Sequence, residues 1–179
     1  MDWLQALILG LVQGLTEFLP ISSTAHLVLL PWFMGWEDPG LTFDVALHLG
    51  TLVALIWFFR AEWIAFARSA VNLAQGNGSG PNERMLQFIV VATLPGALVG
   101  VFAENLIETY LRSPLVISFT LIALALVLIA AEVLGRRQKS LEHISWMDAI
   151  VIGVAQALSL VPGVSRSGVT ITAALFRGM

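Results

Sequence analysis

The chain has 179 residues, 58% of them hydrophobic and only 12% charged, with a mean hydropathy of +0.86. That composition excludes an ordinary soluble domain and defines an integral membrane protein, and a net charge of −3 gives no basis for a nucleic-acid partner. The absence of cysteine excludes disulfides, thiolate metal sites and cysteine nucleophiles.

The chain opens Met1-Asp2-Trp3 with neither a basic segment nor a small-residue cleavage pattern, so these residues are expected in the mature protein. From Trp3 to Leu19 the sequence is apolar but carries Gln5, Gln13 and Glu17, and Pro20 disfavours helix in the residue before it. A second apolar run, Ala25 to Met34, is too short to cross a bilayer comfortably. The pair is predicted to form a re-entrant helical hairpin with its turn at Pro20 to Ser23. Gly35 to Gly40 is an interfacial turn, and Leu41 to Phe59 is a spanning helix whose Asp44, His48 and Thr51 share one inward face. For Asp44 and His48 a structural pair and a ligand contact both remain open. Arg60 to Arg84 begins as a short amphipathic stretch and becomes the loop GNGSGPNE.

Met85 to Ala103 spans again, with Pro95-Gly96 as a predicted kink; Glu104 to Arg112 is interfacial, and Pro114 to Leu134 spans a third time. Glu132 and Arg136 are expected to form an i,i+4 surface pair. Arg60, Arg68 and Arg84 fall in one connection and Arg136, Arg137 and Lys139 in another on the same side, with Arg112 alone between them. The positive-inside rule makes the basic side cytoplasmic and places the first hairpin on the external face.

At an offset of 143 residues the last segment repeats the first. Trp3 aligns with Trp146, Ala6 with Ala149, Gly10 with Gly153, Gln13 with Gln156, Leu15 with Leu158 and Ser22 with Ser165. Each copy runs from an apolar helix through a proline and a Ser/Thr-rich turn into another apolar run. With three crossings between them, the copies form an inverted-topology repeat. The predicted fold is an all-α, polytopic membrane domain over 1–179. It has two re-entrant helical hairpins, a first repeat at about 1–135 and the start of a second at about 144–179.

Chemistry concentrates in the two turns. Polar groups are costly in hydrocarbon, so QGLTEFLPISSTAH, Gln13 to His26, is a site hypothesis by default. Ser22, Ser23 and Thr24 stand where a helix begins, and PGVSRSG places Ser165, Arg166 and Ser167 in the same setting; both suit an anion, and Arg166 suits a phosphate. Ser23 and His26, at i and i+3, are a candidate nucleophile and base, while Gln13 and Glu17, at i and i+4, are candidate oxygen ligands for a hard divalent ion. A polar Glu17–His26 pair that merely ties the hairpin together is the plainer reading.

These two motifs, together with FDVALHLGT from Phe43 to Thr51, resemble the signatures of the undecaprenyl-diphosphate phosphatases, the bacitracin-resistance family of bacterial membranes, and the likeness runs along the whole chain. The resemblance implies dephosphorylation of undecaprenyl diphosphate to the monophosphate, recycling the lipid carrier for peptidoglycan. It further implies a Mg²⁺ or Ca²⁺ requirement and a site open to the outer face of the plasma (inner) membrane. Carried onto this sequence, it makes Gln13 and Glu17 the metal and phosphate ligands, and some relatives have glutamate at the Gln13 position. It makes Ser23 or His26 the nucleophile, with Ser23 favoured and His26 as its base, and Arg166 with Ser165 the phosphate clamp. Family members continue with further spanning helices, so the second repeat is expected to be incomplete at Met179, and a homodimer is one way to complete it. The competing class is a transporter or flippase of a lipid phosphate, because inverted repeats with broken helices are also a transporter layout.

Overall fold

The computed structural model describes residues 1–78, 80–106 and 110–179, and among them every regular element is helical. In chain order these are α1 (Trp3–Thr16), α2 (Ser23–Met34), α3 (Leu41–Phe58), α4 (Arg60–Ala74), α5 (Pro81–Leu106), α6 (Pro114–Leu134), α7 (Trp146–Ala157) and α8 (Arg166–Phe176), with short 3₁₀ turns at Leu141–His143 and Leu158–Leu160. Three helices are long and apolar enough to cross a membrane: α3, the Pro81–Phe102 part of α5, and α6. By contrast α1, with 14 residues, rises about 21 Å, well short of a hydrocarbon core of about 30 Å. Leu115, Phe119 and Val133 of α6 are each more than 70% exposed, which suits a surface solvated by lipid rather than water.

Both hairpins form where the sequence breaks. The first helix ends at Thr16, earlier than Pro20 alone requires, and the second begins at Ser23. Matched ends of the two copies are capped in the same way. Asp2 and Gln5 form a reciprocal capping box at the start of α1, and Ser145 and Asp148, the residues 143 positions later, form one at the start of α7. In the second copy the cap is reinforced. Asp148 is fully buried, accepts from the Ser145 N–H at 2.8 Å and from Arg177 Nε at 2.6 Å, and pairs with Lys139, so the open ends of α7 and α8 are tied together.

Three outcomes differ from expectation. The amphipathic stretch after Arg60 is a full helix of 15 residues, and α5 starts at Pro81 instead of Met85. Glu132 pairs with Arg137, not Arg136, because α6 ends at Leu134 and Gly135 is extended, so the helical i,i+4 relation no longer holds beyond it. Of the expected interfacial stretch Glu104 to Arg112, α5 takes in the first three residues, and 107–109, Glu108 included, lie outside the described residues.

Packing is close at few points. Ala25 and Val28 of α2 meet Ile117 of α6 in a small core, and α7 lies against α5 through Gly153. A Cβ at Gly153 would stand 2.7 Å from the Ala92 carbonyl oxygen and 2.8 Å from its Cα, whereas one at the matched Gly10 would meet only the flexible end of Leu47 at 3.7 Å. Gly153→Ala should therefore lower stability in detergent by about 1–3 kcal/mol, while Gly10→Ala should be close to neutral; thermal unfolding of the two variants side by side checks this.

Candidate functional site

The two turns meet. Ser167, in the first turn of α8, donates its hydroxyl to the Leu19 carbonyl at 3.1 Å, and a Cβ at Gly168 would lie 3.4 Å from the Pro20 carbonyl oxygen. Gly163, at φ +92°, lets the second turn sit against α6; Thr120 Oγ1 donates to Pro162 O at 2.7 Å, and a Cβ at Gly163 would strike that hydroxyl. Around the junction lies a small polar cavity of about 50 Å³ lined by Glu17, Ser22, Ser23, Thr24, His48, Ser165 and Arg166, among others. It adjoins a larger, mainly apolar cavity of about 520 Å³ that shares Glu17, Thr24, His48 and Arg166 and extends along α3 past Val45, Leu49, Leu52 and Leu55.

The first turn aims its groups by strain and capping. Ser22 has φ +64°, unusual for a residue with a side chain and costing on the order of 1–3 kcal/mol, and its Oγ accepts from the Ala25 N–H at 3.3 Å. That corner sets Ser23 at the start of α2 facing Glu17, and Ser23 Oγ donates to Glu17 Oε2 at 2.5 Å. The same carboxylate oxygen lies 3.1 Å from His48 Nε2 and 3.2 Å from Gln13 Nε2. His48 Nδ1 is 2.7 Å from the Asp44 carbonyl oxygen, which can only accept, so that nitrogen bears a proton. Nε2 therefore points at Glu17 Oε2, and the acceptor for the Ser23 proton is Glu17.

Several predicted site residues are brought together and others are not. Glu17, Ser22, Ser23, Thr24, Ser165 and Arg166 all line the polar cavity. His26 lines neither cavity: the hydrogen bond from its backbone N–H to Ser22 O is long, 3.4 Å, and its ring Nδ1 takes that carbonyl at 2.8 Å, so the imidazole serves as a local cap instead of reaching Ser23. Gln13 is 1% exposed and donates its amide to Glu17 and to Thr51 Oγ1, both at 3.2 Å; it holds the carboxylate and is not among the residues lining the two cavities. Ser167 gives its proton to Leu19, so the 3.0 Å contact between the hydroxyls of Ser165 and Ser167 has Ser165 as donor, and Ser165 Oγ in turn accepts from the Gly168 N–H. Neither proton is left for a phosphate.

The imidazole beside Ser23 is His48, on the inward polar face of α3, and Ser159, which the sequence reading did not single out, lines both cavities. Ser159 sits at the position matched to Thr16, a signal available from the repeat alone. Among the described residues no three His, Asp or Glu side chains gather to hold a metal ion. Glu17 Oε1, however, has no hydrogen-bond partner among them, so one carboxylate oxygen facing a cavity remains for an ion whose other ligands come from a bound phosphate.

The fold and site define a polytopic membrane protein with a serine, a carboxylate, an imidazole and an arginine gathered where two broken helices meet. A family profile described as bacitracin resistance protein BacA matches residues 6–179, and the chain belongs to that family. It is 49% identical over 179 residues to an undecaprenyl-diphosphatase of Moorella thermoacetica, covering all of this chain and 67% of the relative. It is 51% identical over 170 residues to one of Gemmatimonas aurantiaca, covering 94% and 64%, and 49% identical over 179 residues to one of Desulforudis audaxviator, covering 100% and 67%. The chain thus spans about two thirds of the length of these relatives.

If the Ser167–Leu19 hydrogen bond joins the turns, Ser167→Ala should lower stability by about 1 kcal/mol, read as a lower unfolding midpoint in detergent.

Proposed function

We propose that this chain carries the reaction centre of an undecaprenyl-diphosphate phosphatase, releasing undecaprenyl phosphate and inorganic phosphate. The observation that carries the reading is the 2.5 Å hydrogen bond from Ser23 Oγ to Glu17 Oε2 inside a cavity that also holds Arg166. A hydroxyl whose proton already points at a carboxylate is an activated nucleophile. As Ser23 Oγ forms a bond to the terminal phosphorus, its proton passes to Glu17, and the bridging P–O bond breaks with its electron pair leaving on undecaprenyl phosphate. Glu17 gives that proton up to solvent as undecaprenyl phosphate departs; water then attacks the phosphoserine phosphorus and passes a proton to Glu17, which returns it to Ser23 Oγ as the Ser23 O–P bond breaks and inorganic phosphate is released.

Arg166 makes no ion pair among the described residues and lines both cavities, so its guanidinium is available to the phosphate oxygens as charge builds. Mg²⁺ or Ca²⁺, held by Glu17 Oε1 and the diphosphate, would supply further neutralisation of that charge. The apolar length of the larger cavity suits a prenyl chain. The roles of Ser22 and Thr24 are to present hydroxyls and α2 N–H groups to the phosphate, and Ser165 shapes the second turn behind Arg166. The two hairpins enter the bilayer from opposite faces as an inverted repeat, with the site open to the outside of the plasma membrane, in keeping with the basic connections on the other side.

The test is phosphate release from undecaprenyl diphosphate by the purified chain in detergent with Mg²⁺. Ser23→Ala and Glu17→Gln should each lower kcat by about a thousandfold or more, and His48→Ala by about tenfold, while His26→Ala should change it by less than about threefold. Loss with His26→Ala equal to that with Ser23→Ala would overturn the assignment of the base. Tight lipid-diphosphate binding without turnover by the unmodified chain would favour the transport reading.

A further inference from the structure

Of the 18 residues of α3, Asp44 alone is buried; the remainder are exposed or half-buried. Lipid tails are as apolar as leucine, so burial of apolar surface does not hold such a helix against its neighbours, and polar ties and close packing must. The structure shows three ties: the hydrogen bond from Gln13 to Thr51, the contact of His48 Nε2 with Glu17 Oε2 at 3.1 Å, and an ion pair at 2.8 Å between Arg112 Nη2 and Asp44 Oδ2. Seven residues separate Asp44 from Thr51, and His48 lies between them on the same face.

The Asp44 end is built for rigidity. Arg112 donates from Nε to Asp38 Oδ2 at 2.9 Å and from Nη2 to Asp38 Oδ1 at 2.8 Å, a parallel fork that fixes the plane of the guanidinium. The Asp44 side chain is 3% exposed, and neither of its oxygens has a hydrogen bond among the described residues, so its charge is met by Arg112 through an ionic contact outside hydrogen-bond geometry. A buried charge with a single counter-ion is strongly dependent on it. Asp44 also acts through its backbone, since its carbonyl accepts from His48 Nδ1 at 2.7 Å and thereby sets the ring that reaches Glu17.

We propose that Arg112 and Asp44 are positioning residues which seat α3 so that His48 holds Glu17 against Ser23. This rests on the phosphatase reading for its kinetic consequence but not for its structural one. A carboxylate displaced by a fraction of an ångström loses its alignment with the serine proton, and losses of that kind appear in kcat before KM.

The experiment measures phosphate release and ¹⁵N-histidine NMR on the same preparations of the chain in detergent. The chain has only three histidines, His26, His48 and His143, and His48 is assigned by comparison with His48→Gln. Asp44→Asn should lower kcat about tenfold with KM changed less than about twofold, and should move the His48 ring signals while leaving those of His143 in place. Arg112→Lys, which keeps the charge and loses the fork, should recover part of the kcat lost in Arg112→Gln. Unmoved His48 signals in folded Asp44→Asn protein, or an unchanged kcat per folded molecule, would overturn the proposal. If Asp44→Asn does not fold, Arg112→Lys carries the same NMR comparison against the unmodified chain. Absence of phosphate release from the unmodified chain would count against the phosphatase reading alone, with the NMR result still deciding the positioning role.

Discussion

One carboxylate oxygen organises this molecule. Glu17 Oε2 receives Ser23 from the start of α2, His48 from α3 and Gln13 from α1, so three helices converge on a single acceptor. In water each of those donors would find solvent and the convergence would contribute little. Within a bilayer an unpaired donor costs several kcal/mol, and the broken end of α1 leaves carbonyls and a charge that must be met inside the protein. The reactive arrangement and the packing arrangement are therefore the same set of contacts. A substitution at Gln13, which touches no cavity, still reaches Ser23 through the oxygen they share.

Elsewhere the helices associate by two different means. Where a small residue allows it, backbones approach closely, as at Gly153 against Ala92, and contact is made by van der Waals packing. Where backbones do not approach so closely, charged and hydrogen-bonded ties take over, as along α3, where a Cβ at Gly50 would meet nothing within 4 Å and only Asp44 is buried. The tie at that end reaches out to Asp38 in the loop after α2. Burial raises the proton affinity of the Asp38 carboxyl, but the paired donors of Arg112 and the Gly40 N–H outweigh it and hold the group below its ordinary value. Asp38 therefore remains charged and keeps Arg112 oriented toward Asp44.

Much of this was legible in the sequence because membrane solvation makes local rules strict. Prolines and Ser/Thr turns inside apolar runs marked both hairpins, and the i, i+4, i+7 spacing of Asp44, His48 and Thr51 marked the inward face of α3. What sequence spacing could not resolve was which imidazole reaches the serine. Ser23 and His26 share a helical face by spacing, but the first turn of a helix has carbonyls and amides short of partners, and the His26 ring is taken by the Ser22 carbonyl 2.8 Å away. His48, 25 residues from Ser23 in sequence, reaches it through tertiary packing, which no local pattern encodes. The Glu132 partner was misplaced for a similar reason: helical spacing was extended past Gly135, where the helix has ended.

The repeat explains why the site is asymmetric. Both copies place a serine at the helix start, Ser22 and Ser165, and both use it as a cap. In the second copy the hydroxyls are consumed by structure: Ser165 donates to Ser167, and Ser167 to Leu19 of the other turn. Position 160, matched to Glu17, is leucine, and position 166, matched to Ser23, is arginine. A second carboxylate there would have placed two negative charges in one small cavity, and a second serine would have had no carboxylate to receive its proton. With its hydroxyls spent on docking, the second turn offers Arg166 as its available charge, and the docking itself brings that charge to the Glu17–Ser23 pair. One hairpin thus contributes the Glu17–Ser23 pair and the other the Arg166 guanidinium, and the cavity they line needs both.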